Sequence, residues 1–172
     1  MKKVFLIGYM GSGKSVIAKQ LSKKLEVKLL DLDEVIEISA GNKINSIFET
    51  KGELYFRKLE NKILTEIVNK NENIIVSTGG GTPCYFNNID LINQKDSISI
   101  YLQCSVVTLF NRLKKEKSNR PIIKDLSDED LQEFIAKHLF ERSYYYNKAK
   151  FIVKTDDKTV EEIVKEIEIL IL

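Results

Sequence analysis

The chain has 172 residues, 43% of them hydrophobic and 30% charged, which suits one globular domain with a core of its own. Twenty-seven basic residues against twenty-five acidic ones leave a formal charge of +2, with the lysines scattered rather than gathered into a stripe, so the balance argues against a nucleic-acid binder. The basic, apolar start breaks at Gly11 and meets Lys14 without a small-residue cleavage site, and no apolar run approaches the ~18 residues of a membrane span.

The elements then follow in chain order. A strand "KVFLI" (3–7) runs into "GYMGSGKS" (8–15), and Ile17, Leu21 and Leu25 give the next segment one apolar helical face. A second strand, "VKLLDL" (27–32), carries Asp31 and Asp33 at its end. From Asp33 to Lys70 there are more helical residues than one crossover needs, which predicts an inserted helical subdomain, with Leu59, Ile63 and Ile67 on its inner face. The third strand, "NIIVST" (73–78), leads into "TGGG", and the fourth is "SISIYLQ" (97–103). A Lys-rich stretch over 114–126 containing "NRPII" reads as a mobile lid. A long helix opens at Ser127 with "SDED" and runs to about Ala149. The last strand, "KFIVKT" (150–155), precedes an amphipathic helix, "TVEEIVKEIEILIL". Strands alternating with helices predict a doubly wound, five-stranded parallel sheet.

Residues 8–15 fit G-x-x-x-x-G-K-[ST] between a strand and a helix. Glycines there let backbone N–H groups turn inward onto phosphate oxygens, where the helix adds its free N–H groups and dipole. Lys14 is then placed for the β- and γ-phosphates and the Ser15 hydroxyl for Mg²⁺. No acidic residue closes the third or fourth strand, so one aspartate of the pair Asp31 and Asp33 is assigned to the Mg²⁺ shell and the other to an acceptor. Two apart on an extended chain, they are expected to point the same way. Three glycines in a row at a strand end predict close approach by a ligand or by another backbone.

Three arginines complete the pattern: Arg57 in "GELYFRKLE", Arg120 in "NRPII" and Arg142 in "FERSYYYNKAK". Each is also read plainly as a solvated or salt-bridged side chain, and Phe48 and Phe56 as core. Taken in order, however, "GYMGSGKS", "DLD", "GELYFRKLE", "TGGG", "NRP" and "ERSYYYNKA" resemble the shikimate kinase family over nearly the whole chain. The resemblance implies a P-loop NTPase-type three-layer α/β/α fold, nucleoside-monophosphate-kinase-like, with a helical substrate-binding insertion and a lid. It also implies ATP with Mg²⁺ as cofactors and shikimate, a small molecule, as the acceptor phosphorylated on its 3-hydroxyl.

Residue by residue, the resemblance assigns Asp33 to the shikimate hydroxyls and Asp31, through water, to Mg²⁺ with Ser15. Arg57 and Arg142 pair with the carboxylate. Gly79, Gly80 and Gly81 give backbone contact, and Phe48 and Phe56 line the apolar side of the pocket. Gly11, Ser12, Gly13, Lys14, Ser15 and Val16 hold ATP; Arg112 neighbours adenine, and Arg120 closes from the lid. Lys14, Asp33 and Arg120 form the catalytic set. The expected organisation is one kinase domain over 1–172, with its core at 1–32, 71–111 and 127–172, a subdomain at about 33–62 and a lid at about 112–126. A cytoplasmic monomer with two reduced thiols, Cys84 and Cys104, completes the expectation, with neither nucleic acid nor membrane as partner.

A kinase of gluconate or of a nucleoside monophosphate is the neighbouring reading, since arginines grip phosphate as well as carboxylate. A GTPase is disfavoured, because "NQKD" (93–96) puts its lysine in the wrong position for N-K-x-D. A non-catalytic nucleotide sensor is set against intact Lys14, Asp33 and Arg120.

Overall fold

The computed structural model describes residues 3–171, apart from the side chain of Asn119. Met1, Lys2 and Leu172, assigned above to the core, lie outside the described residues.

Five strands form one sheet: β1 (Lys3–Ile7), β2 (Lys28–Asp31), β3 (Ile74–Ser77), β4 (Ser97–Gln103) and β5 (Phe151–Lys154). All pairings are parallel and the order is β2-β3-β1-β4-β5. The chain leaves β1 toward β2 on one side and reaches β4 on the other, so the order reverses at the carboxyl end of β1. Ligands in open α/β sheets bind at such a point, and residues 8–13 begin there.

Alternation on β1 explains the three layers. Val4 and Leu6 face one way and join Ile17, Ala18 and Leu21 of α1 (Lys14–Leu25) with Ile163, Val164 and Ile167 of α7 (Val160–Ile171). Phe5 and Ile7 face the other way. There they meet Leu32 and Ile36 of α2 (Leu32–Ala40), Ile63, Leu64 and Ile67 of α3 (Ile44–Asn69), Leu109 and Leu113 of α5 (Val106–Glu116), and Leu131 and Ile135 of α6 (Asp128–Tyr146). A short α4 (Asn88–Ile92) completes that layer. Central strands buried on both faces read as continuous apolar runs, which is why β1 and β3 stand out in the sequence.

Three local features differ from the sequence expectation. The second strand stops at Asp31, whose Oδ1 accepts from the N–H groups of Asp33 and Glu34 and so caps α2. Asp33 therefore lies in the first turn of a helix, and the two aspartates do not project together from an extended chain. Helix α3 is two helices meeting at Gly52, whose φ of 79° suits glycine alone; its second half carries Arg57 and continues unbroken into the core. At the lid, α5 runs on through Glu116, so Arg112 stands on a helix, and Ile123 in the segment that follows is wholly buried in the core. The Ser127 cap is as expected: its Oγ accepts from the N–H of Asp130 at 3.0 Å, although the helix ends at Tyr146.

Candidate active site

A cleft of about 510 Å³ opens at the carboxyl ends of the strands, lined by Gly11 to Ile17, Asp31, Asp33, Gly79, Gly80, Arg112 and Arg120. Gly13 takes the left-handed conformation (φ 94°) that turns the loop into α1, which has no side-chain cap and no acidic residue in its first turn. Its amino end is thus left open and positive, as an anion site requires. The Lys14 ammonium lies inside the loop, donating to the carbonyls of Gly8 and Tyr9 at 2.9 Å each. Burial brings its pKa down to about 8, Asp33 opposing this and Arg120 adding to it. Ser12 Oγ is buried with no hydrogen-bond partner among the described residues. A buried hydroxyl left unmatched beside a buried ammonium suits a phosphate oxygen.

Across the cleft stands Asp33, whose carboxyl is pushed up to about 6 by burial and then by the negative charges of Asp31 and Glu60, against Lys14 and Arg57. The glycine triplet explains how such groups fit. A Cβ on Gly79 would lie 3.0 Å from Asp33 Oδ1, and one on Gly81 would lie 2.6 Å from Arg57 Nη2. At Gly79 and Gly81 the close approach comes from the chain's own charged side chains, whereas at Gly80 another backbone comes close, a Cβ there lying 3.4 Å from the Met10 N. Glu60, wholly buried, accepts from Arg57 Nη1 at 2.9 Å and from the Thr82 hydroxyl at 2.7 Å.

Arg57 is therefore no solvated helix arginine; its side chain is 11% exposed. Arg142 comes to the same place from α6: its guanidinium lies 5.5 Å from the Tyr9 ring centroid, and a Cβ on Gly80 would sit 3.6 Å from its Nη1. Tyr146, one turn on, donates to the Gly80 carbonyl at 2.6 Å. Phe56 is buried with its ring 4.7 Å from that of half-buried Phe48, and the Arg57 guanidinium lies 5.0 Å from the Phe56 ring. Both cysteines are free. Burial pushes the Cys84 thiol up to about 11, against the nearby charges of Arg142 and Arg57.

At the other end, Arg112 Nη1 donates to the Gly11 carbonyl at 3.1 Å. Arg120 is held by Glu116, with Nη2 to Oε2 at 2.7 Å. Ser15 and Val16 are exposed on the first turn of α1. Lys158, Val160 and Ile163 also line the cleft, and sequence reasoning missed them. The rule that ligands gather at strand ends pointed to the loop after the last strand, but nothing in its residue types marks it.

Among the described residues no three His, Cys, Asp or Glu side chains gather as a metal cage. The Ser15 hydroxyl and the carboxylates of Asp31 and Asp33 share the cleft, which Ser12, Ser77, Thr78 and Glu116 also line. A sparse oxygen set beside a phosphate loop fits Mg²⁺, which keeps waters and leans on phosphate oxygens.

Comparison with known proteins gives the family and the fold. The shikimate kinase family model matches residues 10–171. The chain is 50% identical over 167 residues to a shikimate kinase of Flavobacterium johnsoniae, covering 97% of each. In structure it is similar to the shikimate kinase of Bacteroides thetaiotaomicron, with a TM-score of 0.91, 35% identity and 99% of each chain covered. It is likewise similar to the shikimate kinase of Acinetobacter baumannii solved in complex with shikimate, with a TM-score of 0.87, 28% identity, and 99% and 93% of the chains covered.

Proposed function

The chain belongs to the shikimate kinase family, and from that premise we propose that it transfers the γ-phosphoryl group of ATP to the 3-hydroxyl of shikimate, with the roles that follow. The observation that carries them is that Asp33 feels the charges of Lys14 and Arg57, while Asp33, Arg142 and Arg57 come up in turn against Gly79, Gly80 and Gly81.

Arg57 and Arg142 hold the shikimate carboxylate and thereby turn one hydroxyl toward Asp33. Asp33 is ionised at neutral pH yet basic enough, at about 6, to accept the proton of that hydroxyl as it attacks. Lys14 and the N–H groups of Gly11 to Val16 receive the phosphates, and Lys14 and Arg120 meet the charge that develops during transfer. Mg²⁺, when bound, neutralises phosphate charge next to Ser15 and, through water, Asp31. Arg120, released from Glu116, brings the 117–126 segment over the cleft and keeps water away. Arg112 lies alongside the adenine end. Phe48 and Phe56 support the apolar side of the acceptor pocket.

The chain is proposed to act as a monomer. The even charge supports a small molecule, not nucleic acid, as partner. No helix among the described residues is long and apolar enough to cross a membrane, and dependence on ATP supports a cytoplasmic setting.

The test is ADP release from Mg·ATP by the purified protein with shikimate, gluconate or a nucleoside monophosphate supplied in parallel. Release that depends on shikimate alone is expected. Release driven by another acceptor overturns the pocket assignment and leaves the phosphate loop standing.

A further inference from the structure

Resting on the reading of Arg57 as a carboxylate clamp, we infer that Tyr85, acting with Glu53, is a positioning residue that fixes the Arg57 guanidinium with Nη2 turned to the acceptor. A guanidinium offers five N–H donors in one plane and two flat faces. Glu60 takes Nη1 at 2.9 Å and Glu53 Oε1 takes Nε at 3.4 Å. The Tyr85 ring covers a face, 4.1 Å from centroid to Arg57 Cζ. The Tyr85 hydroxyl donates to the same Glu53 Oε1 at 3.0 Å, closing a ring of three side chains. Nη2 alone has no hydrogen bond among the described residues, and it is the nitrogen that lies against Gly81.

The backbone places Tyr85 for this. Directly after the glycine triplet, a 3₁₀ turn over Thr82–Cys84 with Pro83 in its first turn carries the chain out of the cleft. Tyr85 follows in an extended conformation, and its carbonyl accepts from the Asn88 N–H at 2.9 Å. Arg57 and Glu53 stand one turn apart just past Gly52. Tyr85 thus joins the loop after β3 to the second half of α3.

Without the ring, the pair of Arg57 with Glu53, which is 54% exposed, is one of the surface i,i+4 pairs that hold little. Nη2 is then free to leave the orientation in which a carboxylate meets it, and binding bears the cost of ordering it again.

Steady-state kinetics of Tyr85→Leu, Tyr85→Phe, Glu53→Gln and Arg57→Ala test this with shikimate, its uncharged methyl ester and Mg·ATP. Tyr85→Leu is expected to raise the shikimate KM about five- to tenfold. Its kcat and ATP KM should stay within about twofold of wild type, and its KM for the ester should be unchanged. Tyr85→Phe keeps the ring and loses only the link to Glu53, so a rise of about twofold is expected. An equal rise for ester and acid overturns the inference, since Tyr85 is then a pocket wall and does not act through Arg57. Tyr85→Phe keeps the packing and tests the idea even if the leucine variant unfolds: a shikimate KM unchanged there and in Glu53→Gln also overturns it. If Arg57→Ala itself leaves the shikimate KM unchanged, the clamp reading fails and takes the inference with it. If Arg57→Ala weakens shikimate binding and Tyr85→Leu does not, the inference alone fails.

Discussion

The two ends of the cleft are built in different ways. The proposed phosphate end is one continuous stretch, residues 8–16, which offers backbone N–H groups, a helix amino end and a single lysine, and Lys14 is held by two carbonyls of the same loop. The proposed acceptor end draws on α2, α3, the loop after β3 and α6, and its charged side chains are oriented by one another: Arg57 by Glu60 and Glu53, Arg142 over Tyr9. A backbone cradle tolerates change at most of its side chains and none at its one charge. A side-chain network spreads its function over many residues, so each change there is graded and shows a particular signature.

The sharpest test of that contrast is at Lys14. Lys14→Ala is expected to lower kcat on the order of 10³-fold or more, because the ammonium held on the loop carbonyls is lost. Calorimetric titration with shikimate should find the acceptor end unaffected. Loss of shikimate binding in this variant would show that the two ends are not separately built.

Asp33→Asn comes next, with an expected fall in kcat of about 10²- to 10³-fold and ATP affinity within a few fold. The same change should stabilise the fold. Burial and two like charges raise the Asp33 carboxyl to about 6 from 3.8. The folded chain therefore holds that proton more tightly than the unfolded one. Stability is lost as pH rises from about 4 to 6, and the full cost, on the order of 3 kcal/mol, is present above that. Thermal melts should place Asp33→Asn above wild type at pH 7.5, with the gap closing as pH falls toward 4. A variant less stable than wild type at pH 7.5 would contradict the burial argument.

The same contrast explains what the sequence revealed. The phosphate loop has its whole chemistry in consecutive positions, so Gly8, Gly13, Lys14 and Ser15 were readable as a spacing. The sheet was readable because parallel strands buried on both faces are apolar throughout, and β1 and β4 begin and end at the expected residues. The acceptor end was not readable from spacing. Arg57 among glutamates looks like an exposed helix face, and only the fold shows Glu60 buried. The resemblance to a family, carried by the order of six short motifs, supplied what local pattern did not. The placement of Asp33 was misjudged because "DLD" reads as strand to its end, whereas Asp31 is a helix cap that ends it. Lys158 and Tyr85 gave no signal, since an isolated lysine and tyrosine in loops are commonplace.

At the arginine clamp, Arg57→Ala is expected to raise the shikimate KM about 10- to 100-fold through loss of a charge-assisted contact, leaving the ATP KM within about threefold. Equal loss for both substrates would mean that the buried Glu60, left without its partner, had disrupted the subdomain instead.

The smallest effect is the most specific to the carboxylates. In the proposed mechanism Asp33 works ionised, so kcat/KM for shikimate should fall as pH drops through about 6. Asp31 contributes to holding that value up by its own negative charge, and Asp31→Asn removes the charge while its side-chain oxygen still accepts from the N–H groups of Asp33 and Glu34, so the cap on α2 survives. Asp33 then ionises more readily, and the acid limb should move to lower pH by less than about one unit. Measured at saturating Mg²⁺, to offset any weakening of the metal's water shell, activity at pH 5.5 should decline less in this variant, relative to its own maximum, than in wild type. A limb that stays in place would mean that Asp31 is screened from Asp33 and that burial together with Glu60 sets the proton affinity of the base; a limb that moves to higher pH would mean that the titrating group is not Asp33.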